Sequence, residues 1–278
     1  MKTTLLLAFP VMVGNLSQML IGVTDTIMIG HLGVVPLATA NFANNLVSIF
    51  FVCAIGFFTA VSVRTSQLRG AQVYRLIPAS LWHGLVLGLL CGLLILAIIW
   101  GFQPYLHILK QPEEVLSAAP EYLFLVTISL IPAIITLVYK NFAEAFERPW
   151  VPLYLTLAGV VLNIVLNYAL IYGNWGFPRM ELEGAAWATL ISRVFTLLLF
   201  IVWLYKSPFF SKHMPGWGQM KISFAETKVY LQLGIPPSLH LLAEVSAFAG
   251  AAFMMGWIGE VEMAAHQIAL VSISTIFM

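Results

Sequence analysis

Asp25 is the only aspartate among the 278 residues, and it sits inside an apolar run, Val23-Thr24-Asp25-Thr26-Ile27-Met28. A carboxylate in hydrocarbon costs a few kcal/mol even on lenient insertion scales, so it must face a bundle interior and find a partner there. Asn163 and Asn167, in Val-Leu-Asn-Ile-Val-Leu-Asn-Tyr, are spaced to put two amides on one face of a helix. With the Thr189 hydroxyl they would form an oxygen-rich cage around Asp25, suited to a small hard cation. The same carboxylate could instead carry a proton, governed by burial and amide hydrogen bonds. Taken singly, each Asn or Thr reads more readily as a bridge between membrane helices; the buried charge is what points to function.

Glu244, in Leu-Leu-Ala-Glu-Val-Ser, is the other acid well inside an apolar span, and it is a candidate for attracting a cationic substrate or a coupling ion. Arg193 is either a counter-charge to a buried acid or a donor to backbone carbonyls. The six His lack metal-ligand spacing, and Cys53 and Cys91 lie separately in apolar runs with neither a Cys-x-x-Cys nor a neighbouring His. There is no glycine-rich phosphate loop and no nucleophile–base pair, so neither an enzyme nor a cofactor is expected.

The elements that must position these groups follow from composition. Hydrophobic residues make up 60% of the chain and charged residues 9%, which implies an all-α integral membrane protein. Apolar runs long enough to cross about 30 Å of hydrocarbon fall at 5–30, 38–63, 77–101, 121–142, 151–172, 184–205 and 230–256, with an eighth beginning near 263 and cut short at Met278. With the N-terminus inside, Lys2, Arg64, Arg69, Arg75, Lys140, Arg148, Lys206, Lys212, Lys221 and Lys228 lie on the cytoplasmic side, against Lys110 and Arg179 outside. That asymmetry predicts a multi-pass protein of the inner (plasma) membrane with a cytoplasmic N-terminus. It also places Asp25, Asn167 and Thr189 at one depth, each about five residues or roughly 7–8 Å below the outer interface. The net charge of +1 gives no reason to expect a nucleic-acid partner.

The start of the chain returns near its end without a gap: Pro10 overlies Pro236, Met28 overlies Met254, Gly30 overlies Gly256 and Gly33 overlies Gly259. In this register Glu244 overlies Gln18, which makes Gln18 a second substrate or coupling candidate. A repeat of this length predicts two copies of a large unit, in a protein of about 450 residues of which this is the N-terminal portion. Six spans separate the copies, so the repeat is parallel, as in one class of secondary transporter. The expected organisation is a six-helix lobe over 1–206, a cytoplasmic linker over 207–228 and the start of a second six-helix lobe over 229–278, whose remainder would be the chief protein partner.

The stretch Phe9-Pro10 through Val23-Thr24-Asp25-Thr26-Ile27-Met28-Ile29-Gly30 resembles the first helix of the multidrug and toxic compound extrusion (MATE) family. Leu162-Asn163 through Asn167-Tyr168, Gly173, Pro178, Glu183-Gly184-Ala185-Ala186-Trp187-Ala188-Thr189 and Ile191-Ser192-Arg193 resemble its fifth and sixth helices. Ala264-Ala265-His266-Gln267-Ile268 is similar to the opening of its eighth, and Glu244 matches the helix-seven acid of the NorM-like branch. The resemblance covers nearly the whole chain. It implies twelve helices in two lobes, and antiport of small cationic or amphipathic compounds across the bilayer in exchange for Na⁺ or H⁺. It also implies a cation site at Asp25, Asn163, Asn167 and Thr189. Some relatives carry Asp where Asn167 stands, so this site has one charge fewer. The alternatives are a lipid-linked oligosaccharide flippase of the same superfamily, which would be expected to have a more basic cavity, and a non-transporting membrane protein, which leaves Asp25 unexplained.

Overall fold

Among the residues described in the structure, a computed structural model covering 2–109, 112–216 and 222–258, seven α-helices run in sequence. They are α1 Lys2–Gly30, α2 Val34–Gly70, α3 Ile77–Phe102, α4 Glu113–Glu144, α5 Trp150–Tyr172, α6 Glu181–Lys206 and α7 Phe224–Ile258. Each expected span from the first to the seventh falls within one of these helices; the eighth lies outside the described residues. Five segments, from α2 to α6, are long and apolar enough to cross a membrane, and Ile21–Gly30 of α1 adds a shorter apolar stretch. The fold is an all-helical, multi-pass membrane bundle.

Several helices outrun their apolar runs. α2 continues to Gly70 through Arg64 and Arg69, and α4 begins at Glu113 with two acids in its first turn, where they complement the helix dipole. α4 is the central element, packed against α2, α3 and α6. Its buried Leu130, Ile134, Val138 and Phe142 meet Phe58 and Val61 of α2 and Leu81 of α3 in one continuous apolar core.

α5 and α6 form the hairpin that sets the register of the polar residues. Gly173 ends α5 in the left-handed region, φ 73°, and the Met180 amide returns to donate to the Leu170 carbonyl at 2.9 Å. Gly184 of α6 lies so close to the α5 backbone that a Cβ there would come within 2.7 Å of the Leu170 carbonyl. Only glycine permits that approach, and it brings the Asn163 face of α5 opposite Ser192 of α6.

α7 packs chiefly along α2, with a smaller contact to α3. The crossing is backbone on backbone, in the manner of small-residue membrane interfaces. A Cβ on Gly56 would lie 2.6 Å from Ser238 Cα, and one on Gly234 would lie 2.6 Å from the Phe57 carbonyl oxygen. The Ser238 hydroxyl donates to the Cys53 carbonyl at 2.9 Å beside Pro236 and Pro237.

Towards its start, α7 is clamped by polar contacts. The Arg64 guanidinium donates twice to Glu226, both bonds at 2.7 Å. The Tyr230 hydroxyl donates to the Ser80 carbonyl at 2.8 Å, and the Ser223 amide donates to His83 Nε2 at 2.7 Å. His83 Nδ1 lies 2.7 Å from the Ala79 carbonyl, so both ring nitrogens face a backbone partner. Burial alone would push the Glu226 carboxyl up. The bonds and charge of Arg64 and a bond from Ser80 together outweigh that and hold it below its usual range.

Candidate functional site: a buried carboxylate between α1, α5 and α6

α1 packs on α5, and a tie between the Tyr172 hydroxyl and the Met28 carbonyl, 2.9 Å, fixes the C-terminal end of α1 one turn beyond Asp25. From that anchor a chain of side-chain bonds runs inward. Asn167 Nδ2 donates to Asp25 Oδ1 at 2.5 Å and to Asn163 Oδ1 at 3.2 Å. Asn163 Nδ2 donates to the Ser192 hydroxyl at 3.4 Å, and that hydroxyl donates to the Thr189 carbonyl at 3.0 Å. Asn163 and Asn167 are buried, 1% and 0% exposed, while Asp25 is half-buried.

The structure therefore brings Asp25, Asn163 and Asn167 into direct contact. Thr189 is placed differently: its hydroxyl donates to the Ala185 carbonyl on its own helix at 3.0 Å, and it joins the chain only through its backbone oxygen. Ser192 takes the place expected of the Thr189 hydroxyl. The signal for it was the Thr189-x-x-Ser192 spacing, which puts both hydroxyls on one helical face. Glu244 is half-buried on α7 and makes no hydrogen bond or ion pair among the described residues. The side chain of Gln18 lies outside the described residues.

Arg193 reaches α4 rather than backbone carbonyls. Its Nη1 donates to the Ser129 hydroxyl at 2.6 Å, its guanidinium lies 6.0 Å from the Phe51 ring centre, and its charge acts on both Asp25 and Tyr122. Tyr122 accepts a bond from Asn44 at 3.4 Å. It also lines a cavity of about 340 Å³ between the starts of α4 and α6, together with Glu121, Glu181 and Glu183. An acidic cavity thus opens beside Tyr122.

One atom is left over. Asn167 Oδ1 is buried and has no hydrogen-bond partner. Such an orphan acceptor costs about 1–3 kcal/mol. Both protons of the Asn167 amide are spent on Asp25 and Asn163, so the free oxygen and the carboxylate sit on adjacent groups. That donor set, one carboxylate with neutral amide oxygens, fits a monovalent cation or a proton on Asp25 better than a divalent ion. Among the described residues no three His, Cys, Asp or Glu cluster for metal binding.

The MatE family model matches residues 10–169, more than half of the chain. A "Probable multidrug resistance protein NorM" of Rhizobium meliloti (strain 1021) is 35% identical over 280 residues, spanning all of this chain and 59% of the relative. The chain thus covers about three-fifths of the length of such relatives. Among solved structures, a MATE transporter in the conformation described as straight superposes with a TM-score of 0.85, at 24% identity, over 97% of this chain and 59% of that one. A MOP superfamily transporter from Pyrococcus furiosus, described as having a binding pocket of reversed polarity that suggests a different function, superposes at 0.84, also at 24% identity, over 99% and 61%. At that identity the structural likeness establishes the fold.

Proposed function

The chain belongs to the MatE family, and on that premise we propose that it forms the first lobe (1–206), linker (207–228) and opening of the second lobe (229–278) of a secondary antiporter. The reading is export of cationic or amphipathic compounds in exchange for Na⁺ or H⁺, through a cell membrane with the N-terminus on the cytoplasmic side. The observation that carries it is the Asn167 amide, bonded to Asp25 and Asn163 with its own buried oxygen unsatisfied. An ion beside Asp25 would give that oxygen the partner it lacks.

Asp25 is the coupling residue. A cation or proton at its carboxylate cancels the charge that now draws the Asn167 amide, and the amide can then turn its oxygen towards the ion. The relay passes the change to Asn163 and Ser192, linking α1 to α5 and α6. Because Tyr172 ties the outer end of α1 to α5, the motion falls to the inner part of α1. There Pro10 lacks an amide donor, and Gly22 has no neighbouring atom within 4 Å of a notional Cβ. The acidic cavity beside Tyr122 concentrates cations on the approach to Asp25. Glu244 attracts the positive charge of the substrate. An ion shifts such an equilibrium only through its different affinities for the two states, and only one of them offers the Asp25–Asn167 oxygen pair.

Vesicle transport under imposed Na⁺ or pH gradients tests this. Asp25→Asn abolishes gradient-driven efflux at normal abundance; undiminished efflux would place coupling elsewhere.

A further inference from the structure

At the end of the bundle opposite Asp25, the segment after α6 folds back on the turn between α4 and α5 and builds an aromatic stack. Phe146 lies 5.5 Å from Phe209 and 4.9 Å from His213, ring centre to ring centre. Cations surround it. Arg148 lies 3.9 Å from the centre of the Phe209 ring, Lys212 lies 5.5 Å from the same ring, and Arg69 lies 4.9 Å from the Phe146 ring. Arg69 also donates to the Ala145 carbonyl.

Negative charge is scarce here. Only Glu147 pairs with any of these three cations, 3.7 Å from Arg69, while Arg148 and Lys212 are exposed and have no carboxylate partner among the described residues. The positive field reaches His213, outside the membrane-spanning segments. Burial first, then the charges of Lys212 and Arg69, hold its imidazole below its usual range despite a bond to the Phe209 carbonyl. Beside Arg148, α5 opens with an aromatic girdle: Trp150 is 36% exposed and Tyr154 58%, with Phe9 of α1 against Trp150 at 6.1 Å. Exposed amphipathic aromatics at a helix end mark the level of the headgroups.

We propose that Arg148 and Lys212 form a docking site for the phosphate of an anionic phospholipid, with Trp150 and Tyr154 flanking its acyl chains. The two guanidinium and ammonium groups are pre-positioned by one ring, are spent on no carboxylate, and stand at the depth where a headgroup phosphate lies. Arginine presents a fork that matches phosphate oxygens, and lysine adds a point charge. An acidic protein segment would satisfy the cations but not the exposed aromatic belt beside them. The surface lies about 25 Å from Asn167, counted along α5, and stands independently of the transport reading.

The test titrates the purified protein in zwitterionic detergent with phosphatidylglycerol or phosphatidylcholine and counts retained lipid by native mass spectrometry. Phosphatidylglycerol is retained at least tenfold better than phosphatidylcholine, and 0.5 M NaCl erodes the preference. Each charge removed weakens binding about fivefold, so Arg148→Gln with Lys212→Gln lowers it roughly 25-fold. The distant Arg179→Gln changes it by less than about threefold. Should the double variant misfold by circular dichroism, the exposed Lys212→Gln alone must still give its fivefold loss. Equal retention of the two lipids, an unchanged double variant, or equal protection by inorganic phosphate or a Glu-rich peptide would each overturn the proposal.

Discussion

Replacing Glu226 by Gln removes the acceptor of two guanidinium bonds, each 2.7 Å long, between the beginning of α7 and the end of α2. The two side chains are 19% and 17% exposed. An exposed ion pair contributes about 0–1 kcal/mol, whereas a hydrogen bond to a charged group contributes about 1.5–3. Four-fifths buried and bidentate, this pair falls between those limits, at about 2 kcal/mol of coupling. Arg69 and Glu147 supply an internal comparison: a single contact of 3.7 Å with side chains 29% and 69% exposed, which belongs at the exposed limit. A double-mutant cycle of Arg64→Gln and Glu226→Gln, read by thermal unfolding in detergent micelles, isolates the term. About 2 kcal/mol corresponds to a fall of roughly 4–8 °C in Tm for a chain of this size. The pH dependence has a fixed sign. The folded carboxyl is held below its usual range, so its contribution is complete above the ordinary Glu value of about 4.3 and is lost as pH falls through the depressed value. Glu226→Gln flattens that dependence. A coupling no larger than that of Arg69 with Glu147 would refute the reasoning.

Three further outcomes follow from the geometry. Asn167→Ala removes the amide that links Asp25 to Asn163, and it lowers stability by about 1–3 kcal/mol while halting coupled efflux, measured by micelle unfolding and vesicle transport together. Glu244→Gln weakens export of cations more than of neutral compounds at equal protein levels; equal loss for both would remove Glu244 from substrate recognition. Gly56→Val forces a side chain into backbone 2.6 Å away, and a cysteine cross-link between the two helices, formed readily in the parent, then fails to form.

The apolar runs were legible because hydrocarbon demands them, and every helix from α1 to α7 contains its expected run. Helix ends were less legible. α2 runs on past 63 to Gly70 and α7 starts at Phe224 rather than 230, since a helix that leaves the bilayer needs caps and neighbours rather than hydropathy. The company of Asp25 could be read in part from depth and from the four-residue spacing of Asn163 and Asn167. Thr189 was not legible to that level, because a helical Thr can turn its hydroxyl onto its own i−4 carbonyl, and only packing decides between that and a partner across the interface. Arg193 could not be assigned to Ser129 from sequence, because that contact joins helices 64 residues apart. Gly56 and Gly234 looked like ordinary small residues of membrane helices until the crossing of α2 and α7 gave each an opposing backbone.

That crossing also makes α7 a lever of known proportions. Its fulcrum lies at Pro237–Ser238, where glycine lets the two backbones touch. One arm runs eleven residues back to Glu226, about 16 Å, and the other seven residues on to Glu244, about 10 Å. A tilt about this point that moves Glu244 by 1 Å moves the clamped end by about 1.6 Å in the opposite sense, more than two bonds of 2.7 Å can absorb unbroken. Glu244 in the middle of α7 and the grip of Arg64 at its base therefore lie on opposite sides of the close crossing that runs from Gly234 to Ser238.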